Sequence, residues 1–187
     1  MKILDACCGS KMFWFDREHK ETVYMDNRTL DTTLCDGRKL IVKPDVIADF
    51  RKMPFEDESF DIIFHPVSNS YIEKVEPVFK ECYRILKKGG ILLCGLDIGT
   101  NYIVDEKEEK IINSLPFNPL VNEEQRKQLE EQDCGIQFSH TISEQIGGQL
   151  KAGFTLLDIY EDTNGSGRLH EMNIKTYIAT KSAKLSK

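Results

Sequence analysis

Four side chains able to bind a ligand or move a proton stand where apolar runs stop: Asp5 in "KILDA", Asp26 in "TVYMD", Asp49 in "PDVIADF" and His65 in "SFDIIFHP". In an open parallel sheet, ligands bind beyond the carboxyl ends of the strands, where the strand order reverses. Residues at those ends are therefore placed to meet a ligand. The first end runs into Asp5-Ala6-Cys7-Cys8-Gly9-Ser10-Lys11, a tight turn with a single glycine, and then into the cluster Met12-Phe13-Trp14-Phe15. A strand entering such a turn suits a nucleotide-like cofactor. The G-x-G-x-x-G spacing that lets a pyrophosphate reach a helix start is missing, which counts against a dinucleotide. Beyond the fourth end, "HPVSNSY" offers His65, Ser68, Asn69 and Tyr71, and "IQFSH" offers His140 just before a helix start.

The elements that must hold these residues alternate. Residues 2–6, 22–26, the stretch around "PDVIADF", and "SFDIIFHP" up to Pro66 read as strands, since proline cannot continue a ladder. Val75, Val78, Phe79, Cys82, Ile85 and Leu86 recur at helical spacing, with Pro77 tolerated in the first turn and Gly89–Gly90 as the stop. "ILLCGLD" follows as a strand apolar on both faces. Such runs alternating with helices predict an α/β fold: a Rossmann-like, seven-stranded, mostly parallel sheet with an antiparallel last strand and helices on both faces. Residues 11–19 fit a short helix and 122–133 a solvated one. Thr141-x-x-Glu144 is a capping box opening a helix with Ile142, Ile146 and Leu150 on one face and Gly153 at its end. "FTLLDIY" and "NIKTYIAT" read as antiparallel neighbours joined by a helix-free loop, 161–173.

Composition narrows the partners. The 187 residues, 40% hydrophobic, suit one domain spanning 1–187 with a core able to fold unaided. A net charge of −6 opposes a large phosphate-binding face, because duplex binding rests on clustered Lys and Arg. No run nears the roughly 18 apolar residues of a membrane span and no secretory leader is legible, so a cytoplasmic address is expected. Cys7, Cys8, Cys35, Cys82, Cys94 and Cys134 form no C-x-x-C pair and read as reduced thiols; His19, His65, His140 and His170 show no metal-ligand spacing, so no metal is expected.

The order of signals resembles a class I S-adenosylmethionine (SAM) dependent methyltransferase of the type 11 kind. "LDACCG", the acid about 20 residues on, "ADFRKMPFEDESFDIIF", "VFKECYRILKKGGILL" and "LKAGF" carry the resemblance across nearly the whole chain. Residues 1–61 are similar to short phage-type methyltransferases, and "FHPVSNSYIEKVEPVFKECYR" with "GIQFSHTISEQIGGQLKAGF" to small bacterial methyltransferases of unassigned substrate. The resemblance implies SAM as cofactor. It implies that Asp5, Ala6, Cys7, Cys8 and Gly9 line or order the methionine and ribose portion, Asp26 and the adjacent Asn27 meet the ribose hydroxyls, and Asp49 and Phe50 meet the adenine. Lys11 stands where a cation could meet the cofactor carboxylate.

Methyl transfer is an in-line displacement in which positioning supplies most of the acceleration. His65 and Asn69 are the expected catalytic pair, His65 also facing the cofactor, while Ser68, Tyr71 and His140 are expected at the acceptor. Where the phage-type proteins carry a D-P-P-H motif, this chain has His65-Pro66-Val67-Ser68, which departs from amino-group chemistry on a nucleic acid base. The expected activity is therefore methyl transfer to a small molecule, with a nucleic acid methyltransferase and a non-catalytic SAM-binding module as alternatives. Each residue also has a structural reading: a strand-end aspartate caps turns, His65 and His140 can bond locally, and Phe50 can be core. With the first strand at residue 2 and Met12–Phe15 apolar, a lid or a homodimer is expected to cover the site.

Overall fold

The computed structural model describes residues 1–33, 37, 39–132 and 135–185, so Cys35 and Cys134 lie outside the described residues. Seven strands form one sheet: β1 (Ile3–Asp5), β2 (Thr22–Asp26), β5 (Val46–Ile47), β6 (Phe60–His65), β7 (Leu86–Asp97), β8 (Thr155–Asp162) and β9 (Tyr177–Ala183), in the order β5-β2-β1-β6-β7-β9-β8. Pairing is parallel from β5 through β7, and β9 runs antiparallel to both neighbours. The chain winds outward from β1 to β5 and then returns to β6 on the other side of β1. That reversal opens a crevice beyond the ends of β1 and β6.

The apolar runs explain the core. Leu4, Met25, Ile63, Leu92 and Leu96 are fully buried, and α1 (Glu76–Ile85) adds Val78, Phe79, Cys82 and Ile85. α4 (Ile142–Ala152) packs beside α1 on the same face. On the opposite face, Leu93 of β7, Ala179 and Lys181 of β9 and Tyr160 of β8 are exposed.

Several sequence expectations are corrected. Residues 11–19 form turns: Lys11 takes φ 58°, outside the helical region, and is tied back by its amide to the Cys8 carbonyl at 2.7 Å. The segment is anchored residue by residue, through Trp14 above all. α1 ends at Ile85, before the glycines, because Leu86 already pairs with Phe60. Gly90 allows the close crossing that follows, where an added Cβ would lie 2.9 Å from the Asp61 carbonyl. The capping box of α4 is present, with the Glu144 amide donating to Thr141 Oγ1 at 3.1 Å, yet Ile142 and Leu150 are about half exposed. Its buried face is Gln145, Gly148 and Gln149, the last accepting from Ser182 Oγ at 2.7 Å. A hairpin of β3 (Leu30–Thr33) and β4 (Lys39–Val42) was not anticipated, and loop 161–173 holds a one-turn helix, α5 (Arg168–Glu171). Two further helices, α2 (Thr100–Ile103) and the solvated α3 (Glu123–Glu131), follow β7.

Candidate functional site

The loop after β1 is organised by two aspartates. Asp5, 1% exposed, accepts from Trp14 Nε1 at 2.7 Å and from the Cys7 amide at 3.4 Å. Burial pushes its pKa up to about 6, the Trp14 bond opposing. Asp26 Oδ2 accepts from the Gly9 amide at 2.9 Å and lies 3.9 Å from Cys7 Sγ. Gly9 sits at φ 49°, a conformation that suits glycine, and so lets its amide turn toward Asp26. Burial pushes both Cys7 and Cys8 up to about 12, so neither thiol is a ready nucleophile.

A cavity of about 1190 Å³ opens beside this loop, lined by Cys7, Cys8, Gly9, Asp26, Asn27 and Phe50 at one end. It continues over Pro66, Val67 and Ser68 beyond β6 to Asp97, Tyr102 and Tyr177 beyond β7. Of the expected acceptor residues, Ser68 and Tyr71 line it. Asp5 and Ala6 lie behind the loop, Ala6 donating its amide to the Phe64 carbonyl at 2.9 Å.

The remaining expected residues are not among those lining the cavity. His65 is fully buried, with Nε2 2.8 Å from Asn69 Oδ1; Asn69 Nδ2 in turn donates to Gln145 Oε1 at 2.7 Å. That chain assigns the His65 proton to Nε2. Its Nδ1 has no partner among the described residues, and burial lowers the pKa, keeping the ring neutral. The ring stands edge-on to Phe50, centroids 5.3 Å apart, so it backs the cavity wall. His140 Nε2 meets the carbonyls of Asn69 and Ile72, both at 2.9 Å, and clamps the 3-10 turn Asn69–Tyr71. Lys11 Nζ lies 3.7 Å from the centroid of the Tyr24 ring. Asp49 bonds the Arg51 guanidinium, Oδ2 to Nε at 2.9 Å, which holds its carboxyl below the usual range.

Sequence reasoning missed Arg28, Asp97, Tyr102 and Tyr177. Asp97 was findable, since it ends "ILLCGLD" as Asp26 ends "TVYMD". Among the described residues no group of three or more His, Cys, Asp or Glu could hold a metal.

This strand order, with a ligand-sized cavity at its reversal, is the class I methyltransferase architecture. Residues 4–94 match the family model described as a methyltransferase domain. The uncharacterized methyltransferase YbaJ of Bacillus subtilis is 38% identical over 139 residues, 70% of this chain and 53% of that protein. An S-adenosylmethionine dependent methyltransferase from Mesorhizobium loti superposes with TM-score 0.68 at 14% identity, covering 97% of this chain and 90% of that one. A geranyl diphosphate methyltransferase in complex with SAM gives TM-score 0.58 at 14% identity, covering 98% and 78%. The chain thus spans about half the length, or less, of the curated relatives it matches. The methyltransferase-domain match, the similarity to YbaJ and the shared fold together support a class I SAM-dependent methyltransferase.

Proposed function

We propose that the chain transfers a methyl group from SAM to a small-molecule acceptor. One observation carries this reading: a single cavity joins the Cys7–Ser10 loop, Asp26 and Phe50 to the ends of β6 and β7, giving donor and acceptor adjoining ends of one space. The donor set suits SAM. Asp26 keeps Oδ1 without a partner among the described residues, so it can accept ribose hydroxyls; Phe50 offers a ring to the adenine; Arg28 is a cation at the same end. When bound, SAM supplies an electrophilic methyl on a cationic sulfur. The chain's part is to align the acceptor in line with that methyl and to exclude water, which can supply most of the acceleration. Asp5 fixes the loop from behind, and His65 with Asn69 supports the wall behind Phe50 and Ser68.

The exposed Met12, Phe13 and Phe15 support a second copy or a lid over this end. Light scattering is expected to show a dimer or, with ligand, protection of this cluster; a monomer with the cluster unprotected discards both.

Calorimetric titration with SAM and S-adenosylhomocysteine (SAH) tests the donor assignment, with binding expected and its absence at millimolar ligand overturning it. Asp26→Ala should weaken binding tenfold or more, because a charged acceptor is lost. Labelled SAM offered with a metabolite extract, beside a nucleic acid sample, distinguishes the acceptors. Label in small molecules supports the proposal, label in nucleic acid replaces it, and binding without label in either leaves a SAM-binding module.

A further inference from the structure

The far end of the cavity has a chemistry of its own. Asp97, the last residue of β7, is 9% exposed there, its oxygens held by the Gly99 amide at 2.6 Å and Asn101 Nδ2 at 2.8 Å. Neither donor is a cation, and among the described residues Asp97 has no ion-pair partner. His140 lies close enough to act on its charge but commits Nε2 to two carbonyls. Three phenols share this end of the cavity with the carboxylate: Tyr71, Tyr102 and Tyr177 line the same space as Asp97. Asp162, opposite Tyr177 across the β8–β9 pairing, adds a second carboxylate at the rim. The cavity's cations are elsewhere, Arg28 beside the cofactor loop and Lys181 four residues along β9 from Tyr177, roughly 13 Å away at strand rise.

We propose that this end selects an amine as the methyl acceptor, its N–H groups donating to Asp97 and its charge lying against the rings of Tyr71, Tyr102 and Tyr177. The inference rests on the methyltransferase reading above. A rigid carboxylate with no cation of its own attracts one from the ligand, and tyrosine faces add cation–π attraction. The same groups serve the reaction. The bound ammonium first gives one proton to the Asp97 carboxylate, which passes it to solvent. The lone pair so freed forms the new N–C bond, the C–S pair stays with sulfur, and the positive charge passes from sulfur to nitrogen beside Asp97. Burial raises the Asp97 pKa, which favours its accepting that proton. A carboxylate acceptor would be repelled, and an alcohol would leave the charge of Asp97 unanswered.

The test is calorimetric. Protein saturated with SAH is titrated with tyramine, phenethylamine and histamine, each paired with the alcohol that replaces its amino group. At least one amine should bind tenfold or more tightly than its alcohol. Asp97→Asn should abolish that preference while SAH affinity stays within twofold, and Tyr71→Ala, altering a ring that is 60% exposed, should weaken the amine several-fold without disturbing the fold. Alcohols that match their amines, SAH-loaded protein that takes up none of the amines, or a preference that survives both variants would overturn the proposal. Failure to bind SAH at all is a different result: it removes the donor assignment and the acceptor inference together.

Discussion

At neutral pH the carboxylate of Asp5 holds both the Trp14 indole and the Cys7 amide, although burial raises its pKa from the ordinary 3.8 to about 6. The folded chain therefore binds that proton more tightly than the unfolded chain. Ionisation weakens the fold: the cost is absent below about pH 4, grows through pH 6 and is complete above it, where it approaches about 3 kcal/mol. Measured against Asp5→Asn in urea titrations, the wild-type chain should lose stability between pH 4 and 7. A difference that does not change with pH would remove this account. Trp14, the only tryptophan, should report the same step in fluorescence with a midpoint near about 6. Lys11 makes a second residue-scale case. With its ammonium over Tyr24, Lys11→Ala should cost about 0.5–1 kcal/mol in a urea titration and leave SAH affinity within twofold. A tenfold loss of affinity would restore it to the cofactor. What the sequence disclosed at this scale was the set of strand ends, as Asp5, Asp26 and His65 show. It could not disclose direction: His65 turns inward to Asn69, and Asp49 outward to Arg51.

Elements were legible where one physical signal dominated. The parallel strands announce themselves as continuous apolar runs, and α1 buries the face its spacing predicts. α4 was misread because Ile142, Ile146 and Leu150 form a periodic set, while glutamines and glycine carry no apolar signal. Gln145 and Gln149 are buried because their amides are satisfied, by Asn69 and by Thr180 and Ser182. Gly148 lets α4 approach α1, since an added Cβ would lie 2.8 Å from Phe79 Cδ2. This yields a paired prediction on one helix. Gly147→Ala, which meets nothing within 4 Å, should stabilise by up to about 1 kcal/mol through helix propensity. Gly148→Ala gains the same propensity but overpacks the α1–α4 contact, at a cost of about 1–3 kcal/mol, and should be destabilising on balance. Urea midpoints of the two variants should move in opposite directions, and a rise in both would show that Phe79 can give way.

At the scale of the molecule, the sequence pointed to Ser68 and Tyr71 but not to Tyr102 or Tyr177, because the far end of the cavity is lined from α2, β7, β9 and the 3-10 turn after β6, brought together by the sheet order. The same assembly makes ligand binding a stability measurement. Anything that binds the folded chain alone stabilises it, by about 2.7 kcal/mol at a concentration one hundred times its Kd. For a chain of this size each kcal/mol moves Tm by roughly 2–4 °C. SAH should therefore raise Tm by roughly 5–10 °C, and Asp26→Ala should lose most of that shift at the same concentration. Duplex DNA should raise it by nothing measurable at 0.05 M salt, because a net charge of −6 opposes the large cationic face on which counterion release rests. A DNA-dependent shift that disappears as salt is raised would instead reveal a local basic surface, and would move the acceptor from small molecules to nucleic acid.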